Sequence, residues 1–230
     1  MRLLDALLDL LFPPKCPCCG RVLDHRGICP ACQKKLRPTG EGRDLRRLED
    51  GLPCAAPLWY TGVVRQGVLR FKFHGDSPAA EIFADLMAPC LTNRFGDQFQ
   101  LVTWAPVSRR RLRRRGYDQA ELLARALGRR WGKPAVRLLV KIRDNPAQSG
   151  LPGKLRRENV RGVYRVHNRE ILQGKRILLI DDVCTTGSTL SECAQTLLAA
   201  GARSVVCGAL AHRAQGEEDG GREAPPVPSP

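Results

Sequence analysis

Two adjacent carboxylates, Asp181 and Asp182, close an apolar run, and the small residues Thr185, Thr186, Gly187, Ser188 and Thr189 follow two positions later. Residues Ile177 to Ile180, after Lys175 and Arg176, have the character of a buried parallel strand. The hydroxyl-rich turn leads into a stretch with helical periodicity. Backbone N–H groups converging at the start of that helix, together with its dipole, favour a phosphate. Carboxylates at the carboxyl end of such a strand stand where open α/β sheets bind ligands. Because two carboxylates would repel a phosphate, they point to another polar part of the same ligand, such as ribose hydroxyls. The bland alternative is a turn and an N-cap with no ligand, which would suit a lone Asp-Asp. Two rival phosphate motifs, Gly-x-x-x-x-Gly-Lys-Ser/Thr and a Gly-x-Gly-x-x-Gly after a strand, do not occur.

A second chemistry lies near the N-terminus. Cys16 and Cys19 form one Cys-x-x-Cys knuckle and Cys29 and Cys32 another, and the pair suits one tetrahedral tetrathiolate zinc site. Four protein thiolates leave no open position, so the expected zinc is structural. Cys18 offers an alternative first ligand, but Gly20 after Cys19 supplies the backbone freedom a knuckle needs and favours Cys16 with Cys19. Free buried thiols or a redox Cys-x-x-Cys are the competing readings. His25, between the knuckles, is expected to be an exposed loop histidine. Cys54 stands apart and receives no role.

A third feature is the run Arg109, Arg110, Arg111, Leu112, Arg113, Arg114, Arg115. Self-repulsion makes so dense a cationic segment unfavourable unless an anion is near. Arg chelates phosphate oxygens bidentately, so the run is expected to meet a pyrophosphate or a nucleic-acid backbone. A structural cap or simple solubility is the competing reading.

The chain that must position these groups has 230 residues, long enough for one full core and a small accessory module. Its formal net charge of +15 exceeds what solubility requires and points to polyanionic partners. The 10 cysteines are grouped in knuckles or scattered among apolar segments, unlike a disulfide framework, so a reduced, cytoplasmic protein is expected. Leu3, Leu4, Leu7, Leu8 and Leu11 mark an amphipathic helix interrupted by Asp5 and Asp9, too short to span a bilayer. Residues 37–57 read as a loop. From Leu58 onward strands and helices alternate: strands at Leu58, Leu101, Val163, Ile177 and Ser204, and helices over Val63–Phe73, Ala79–Leu91, Gln119–Trp131 and Ser188–Ala200. The arginine run falls in a loop of that scheme. Alternation of this kind predicts an α/β fold, a parallel sheet with helices on both faces. The Gly-, Pro- and Glu-rich tail is expected to be disordered. The organisation expected is a helix and zinc module over residues 1–53, a main domain over 54–212 and a tail over 213–230.

The segment from Ile177 to Thr189 resembles the ribose-phosphate loop of the type I phosphoribosyltransferases at every position of that pattern. The resemblance implies that Thr185, Thr186, Gly187, Ser188 and Thr189 hold the 5-phosphate of phosphoribosyl pyrophosphate (PRPP). It implies that Asp181 and Asp182 hold the ribose hydroxyls as the catalytic carboxylates. Over residues 10 to 212 the chain is similar to the ComF family. The similarity rests on the cysteine knuckles, Phe71-Lys72-Phe-His-Gly-Asp76, Pro106-Val-Ser-Arg-Arg-Arg111, Arg115-Gly-Tyr-Asp-Gln-Ala120, Gln148-Ser-Gly-Leu151, Arg156-Arg-Glu-Asn159 and the Asp181-Asp182 loop. That family is phosphoribosyltransferase-like and linked to natural competence and DNA uptake.

What the family implies here is PRPP bound with Mg²⁺, contact with single-stranded DNA, and partners in the competence machinery, in a protein not integral to the membrane. Lys72 and Arg109 are the implied PRPP contacts, and Arg110, Arg111, Arg113, Arg114 and Arg115 those for pyrophosphate or nucleic acid. Many relatives carry a second knuckle pair where this chain has only Cys54, so a single zinc site is expected in the N-terminal module. The alternative is an active transferase that moves ribose-5-phosphate from PRPP to a nitrogenous acceptor. Loss of pyrophosphate would then leave an oxocarbenium-like ribose to be stabilised electrostatically.

Overall fold

A computed structural model describes residues 13–73, 77–143 and 162–214. The leucine-rich N-terminal segment, His74 to Asp76, the motifs at 148–151 and 156–159, and the tail from 215 lie outside the described residues.

The main sheet runs in the order β1 (Leu45–Arg47), β2 (Pro53–Ala55), β8 (Ser204–His212), β7 (Arg176–Cys184), β4 (Leu101–Trp104), and β3 (Leu58–Trp59) also pairs with β8. All pairings are parallel except that of β1 with β2. A short antiparallel pair, β5 (Leu139–Lys141) and β6 (Tyr164–Val166), stands beside it. The central strands are almost continuously apolar because both faces are covered. On one face pack α2 (Gly62–Phe73), α3 (Ala79–Phe95) and α5 (Gln119–Trp131), burying Phe71, Phe83, Met87, Leu123 and Leu127 against Leu178, Ile180 and Leu210. On the other, α7 (Ser188–Ala199) and the β5–β6 pair bury Leu138, Tyr164, Leu190 and Leu197 against Ile177, Leu179 and Cys207. Two short helices, α1 (Pro30–Gln33) and α6 (Arg169–Leu172), complete this part of the chain. The expected α/β class, with helices on both faces of a parallel sheet, is what the structure has.

Three local expectations are corrected. Residues 37–57 are not a loop: β1 and β2 lie there, and β2 joins the edge of the main sheet through Cys54 opposite Cys207. Three-residue strands carry too few residues to show alternation, and they are held by the neighbouring strand. Second, the arginine run is the helix α4 (Arg109–Arg115). Ser108 caps its start, the Oγ accepting from Arg111 N–H at 3.4 Å, and Gly116 ends it in the left-handed region at φ +80°. Third, β7 does not stop at Asp181. Asp181, Val183 and Cys184 stay in register with Ala209, Ala211 and His212, so the acidic pair lies inside the strand, with two strand residues after it.

Candidate functional site

The carboxyl end of β7 gathers the groups the sequence singled out. Alternation along the strand sends Asp181 and Asp182 to opposite faces. Asp182 reaches α2, where its Oδ2 lies 2.8 Å from Lys72 Nζ. Asp181 accepts the backbone N–H of Asp182 on Oδ1 at 2.8 Å. Removal from water and the neighbouring Asp182 carboxylate push the Asp181 acid well above the usual carboxylate range, with Lys72 acting in the other direction. For Lys72, burial opposes the charge, but the Asp182 carboxylate outweighs it and raises the ammonium above its ordinary value.

Beyond Cys184 the chain turns through Thr185, Thr186 and Gly187 into α7. Thr186 Oγ1 and Ser188 Oγ lie 2.7 Å apart, and Ser191 N–H donates to Gly187 carbonyl at 2.8 Å. Gly187 has φ +80°, and a Cβ there would meet Leu48 Cδ2 at 2.5 Å. Leu48, beside β1, therefore sets the depth of the turn, a contact with no signature in the local sequence. The turn is thus a strand-to-helix junction with hydroxyls, and a helix start whose N-cap residue supplies no side-chain cap, beside two carboxylates. Such a junction can hold a phosphate and a vicinal diol together.

The arginine helix approaches this site through its last residue. Arg115 donates from Nη1 to Gln119 Oε1 at 2.8 Å, and its guanidinium lies 5.0 Å from the Phe73 ring centroid. Burial lowers the Arg115 pKa, and the Asp182 carboxylate opposes that shift. Arg114 also lies over Phe73, at 5.9 Å. Arg109, Arg110, Arg111 and Arg113 make no side-chain hydrogen bond or ion pair with another described residue, and Arg109, Arg110 and Arg113 are exposed. The structure thus pairs Lys72 with Asp182, places Arg115 within electrostatic reach of that carboxylate, and leaves Arg109, Arg110 and Arg113 facing solvent.

Residues 117–119, quoted in the sequence only as part of a motif, turn out to be the clamp. Tyr117 Oη donates to Phe71 carbonyl at 2.6 Å, and Gln119 Nε2 donates to the same oxygen at 3.4 Å. Asp118 is buried and accepts from three backbone N–H groups: Val107 at 2.9 Å, Ala120 at 3.1 Å and Glu121 at 3.4 Å. Burial raises its pKa to about 6 despite those donors. The segments around Lys72 and Arg115 therefore form one unit, fixed by the end of α2.

The knuckles converge as expected. The sulfurs of Cys16, Cys19, Cys29 and Cys32 all lie within 4.8 Å of one another. A Zn–S bond of about 2.3 Å implies a tetrahedral edge of about 3.8 Å, and Cys19 and Cys29 sulfurs are 3.8 Å apart. Backbone N–H groups of Cys29 and Cys32 point at Cys16 and Cys29 sulfurs at 3.5 and 3.4 Å, the outer-shell donors thiolates need. Cys18 is buried outside the cluster, its sulfur 3.4 Å from where a Cβ on Gly67 of α2 would stand. His25 is exposed. The residues fit a structural zinc, and the module rests on the same helix that carries Lys72.

A shallow hollow of about 790 Å³ lined by Arg94, Asp97, Arg176 and Ser204 opens at the amino ends of β7 and β8. It is at the wrong end of the sheet for the groups above. Among the described residues no helix is long and apolar enough to cross a membrane.

The chain matches the phosphoribosyl transferase domain over residues 112–221 and the double zinc ribbon domain over residues 7–43. It is 32% identical to the DNA utilization protein YhgH of Escherichia coli O6:H1 over 199 residues, 83% of this chain and 80% of that one. It is 29% identical to the competence protein ComFC of Bacillus subtilis over 186 residues, 81% of this chain and 72% of that one. Among solved structures it is similar to an adenine phosphoribosyltransferase from Thermoanaerobacter pseudethanolicus, with TM-score 0.39 and 20% identity over 64% of this chain and 73% of that one.

Proposed function

This chain belongs to the ComF family, and from that premise we propose that it binds PRPP with Mg²⁺ and acts in natural competence, contacting single-stranded DNA. The observation that carries the ligand assignment is the junction itself: Asp181, Asp182 and Lys72 beside the turn of Thr185–Thr189 at the start of α7. In this reading the turn holds the 5-phosphate, and the two carboxylates accept from the ribose hydroxyls. Lys72 and Arg115 face the pyrophosphate side, with Arg109 at the far end of α4. Mg²⁺ would arrive on the pyrophosphate and offset its charge.

The competence role comes from the relatives' names, and the DNA contact from charge. One pyrophosphate cannot use six arginines, and α4 leaves Arg109, Arg110 and Arg113 exposed. Such a row matches a nucleic-acid backbone.

Calorimetric titration with PRPP and Mg²⁺ is the direct test. Binding should weaken roughly tenfold or more for each of Asp181→Asn and Asp182→Asn, since each removes a charged acceptor. Unchanged affinity in the double variant would move the ligand elsewhere. For DNA, replacing Arg109, Arg110 and Arg113 by Gln should lower the salt slope of single-strand binding by about 0.7 per lost contact. An unchanged slope would remove α4 from the DNA interface. The rival reading, an active transferase, draws on the same carboxylates, and pyrophosphate release on any nucleobase would establish it.

A further inference from the structure

A second group of metal-ligating side chains lies under the candidate phosphate turn, away from the knuckles. Cys54 of β2, Cys184 at the end of β7 and His212 at the end of β8 place two sulfurs and an imidazole nitrogen within 4.8 Å of one another. All three are buried, with 0%, 2% and 0% of their surface exposed. Cys184 and His212 are register partners across β7 and β8, and β2 pairs with β8 on its other side. The sheet edge that the sequence reading took for a loop is what delivers the third residue.

The imidazole is set up as a ligand. His212 Nε2 is 3.1 Å from Asp44 carbonyl, and a carbonyl can only accept, so Nε2 carries the proton. That leaves the lone pair on Nδ1, which is buried, has no well-formed hydrogen bond, and is left to the Cys184 sulfur as its neighbour. Buried polar nitrogens are rarely left unpaired in a folded protein. A carbonyl that fixes the tautomer by holding the distal N–H is the usual outer-shell partner of a metal-bound histidine. Two thiolates with a neutral imidazole carry two negative charges, and a divalent ion brings the sum to zero, which an apolar interior tolerates. Soft sulfur with imidazole selects zinc over the hard divalent ions. Three protein ligands leave a fourth position for a small exogenous donor.

We propose that Cys54, Cys184 and His212 form a second, buried zinc site that ties the Thr185–Thr189 turn to the sheet edge. Cys184 directly precedes Thr185, so a metal there holds the start of the turn to β2 and β8. The site is independent of the PRPP reading, because it is tested by metal content alone.

The full chain, prepared under reducing conditions, is loaded with excess zinc and freed of unbound metal, and zinc per chain is then counted. Two equivalents are expected in the parent protein, one in Cys54→Ala, one in Cys29→Ser and none in the double variant. One equivalent in the parent protein, or two in Cys54→Ala, overturns the proposal. Should a variant not fold, X-ray absorption at the zinc edge of the parent protein decides. Two sites average to about three sulfurs and half an imidazole per zinc, whereas four sulfurs and no imidazole overturns the site.

Discussion

Lys72 Nζ and Asp182 Oδ2 lie 2.8 Å apart, joining the last turn of α2 to the carboxyl end of β7. Both side chains are mostly shielded, with 22% and 11% of their surface exposed. The pair links the helix that supports the zinc knuckles to the strand that carries the acidic pair. It also holds the Asp182 charge compensated.

Removing one partner should cost more than removing both. Lys72→Met leaves a shielded carboxylate without its cation and should destabilise by about 1.5–3 kcal/mol, the range for a hydrogen bond to a charged group. Lys72→Met with Asp182→Asn should recover part of that loss. Urea unfolding of the cycle measures the coupling, and strictly additive losses would show that the pair contributes nothing.

Gly187→Ala should disturb the turn by two separable routes. The backbone at φ +80° disfavours any side chain, and the new Cβ would meet Leu48 at 2.5 Å. A loss of about 1–3 kcal/mol is expected from the backbone conformation alone. Adding Leu48→Ala to Gly187→Ala should relieve the clash without removing the backbone strain. A double variant that loses the sum of the two single effects, read by thermal unfolding, would contradict the contact.

Asp118 should titrate near 6, followed by its carboxyl carbon resonance against pH. Its folded pKa is raised, so the native state holds the proton more tightly than the unfolded chain. That contribution is full below pH 4 and is lost as pH rises through about 6. From 3.8 to about 6 the shift is worth up to about 3 kcal/mol. Asp118→Asn should abolish this slope while placing an amide donor against Val107 N–H. A midpoint near 4 would show that the three backbone donors offset burial in full.

Cys18 and Cys19 are adjacent but should behave oppositely. Cys19→Ala should remove the knuckle metal, and Cys18→Ala should keep it, because the Cys18 sulfur packs against Gly67 outside the cluster. The four-thiolate spectrum of the cobalt-substituted protein reads this directly. Loss of that spectrum in Cys18→Ala would exchange the two assignments.

Some of this was legible residue by residue. The apolar run into Asp181-Asp182, the hydroxyl turn and the two cysteine knuckles are local patterns, set by strand burial, helix N–H groups and chelate spacing within a few residues. They carried the fold class, the four cysteines that converge, and the strand end at which Asp182 meets Lys72. Other features needed the chain to close on itself. The arginine run could be read for charge but not as a helix, because its ends depend on one serine cap and one left-handed glycine. β1 and β2 are too short to show a period and exist because β8 offers its edge. The pairing of Lys72 with Asp182, of Leu48 with Gly187, and of Cys54 with Cys184 and His212 joins residues separated by 110, 139 and up to 158 positions. Sequence spacing carries no information about such encounters. They are decided by which strands neighbour one another and by which face of each strand the packed helices leave open.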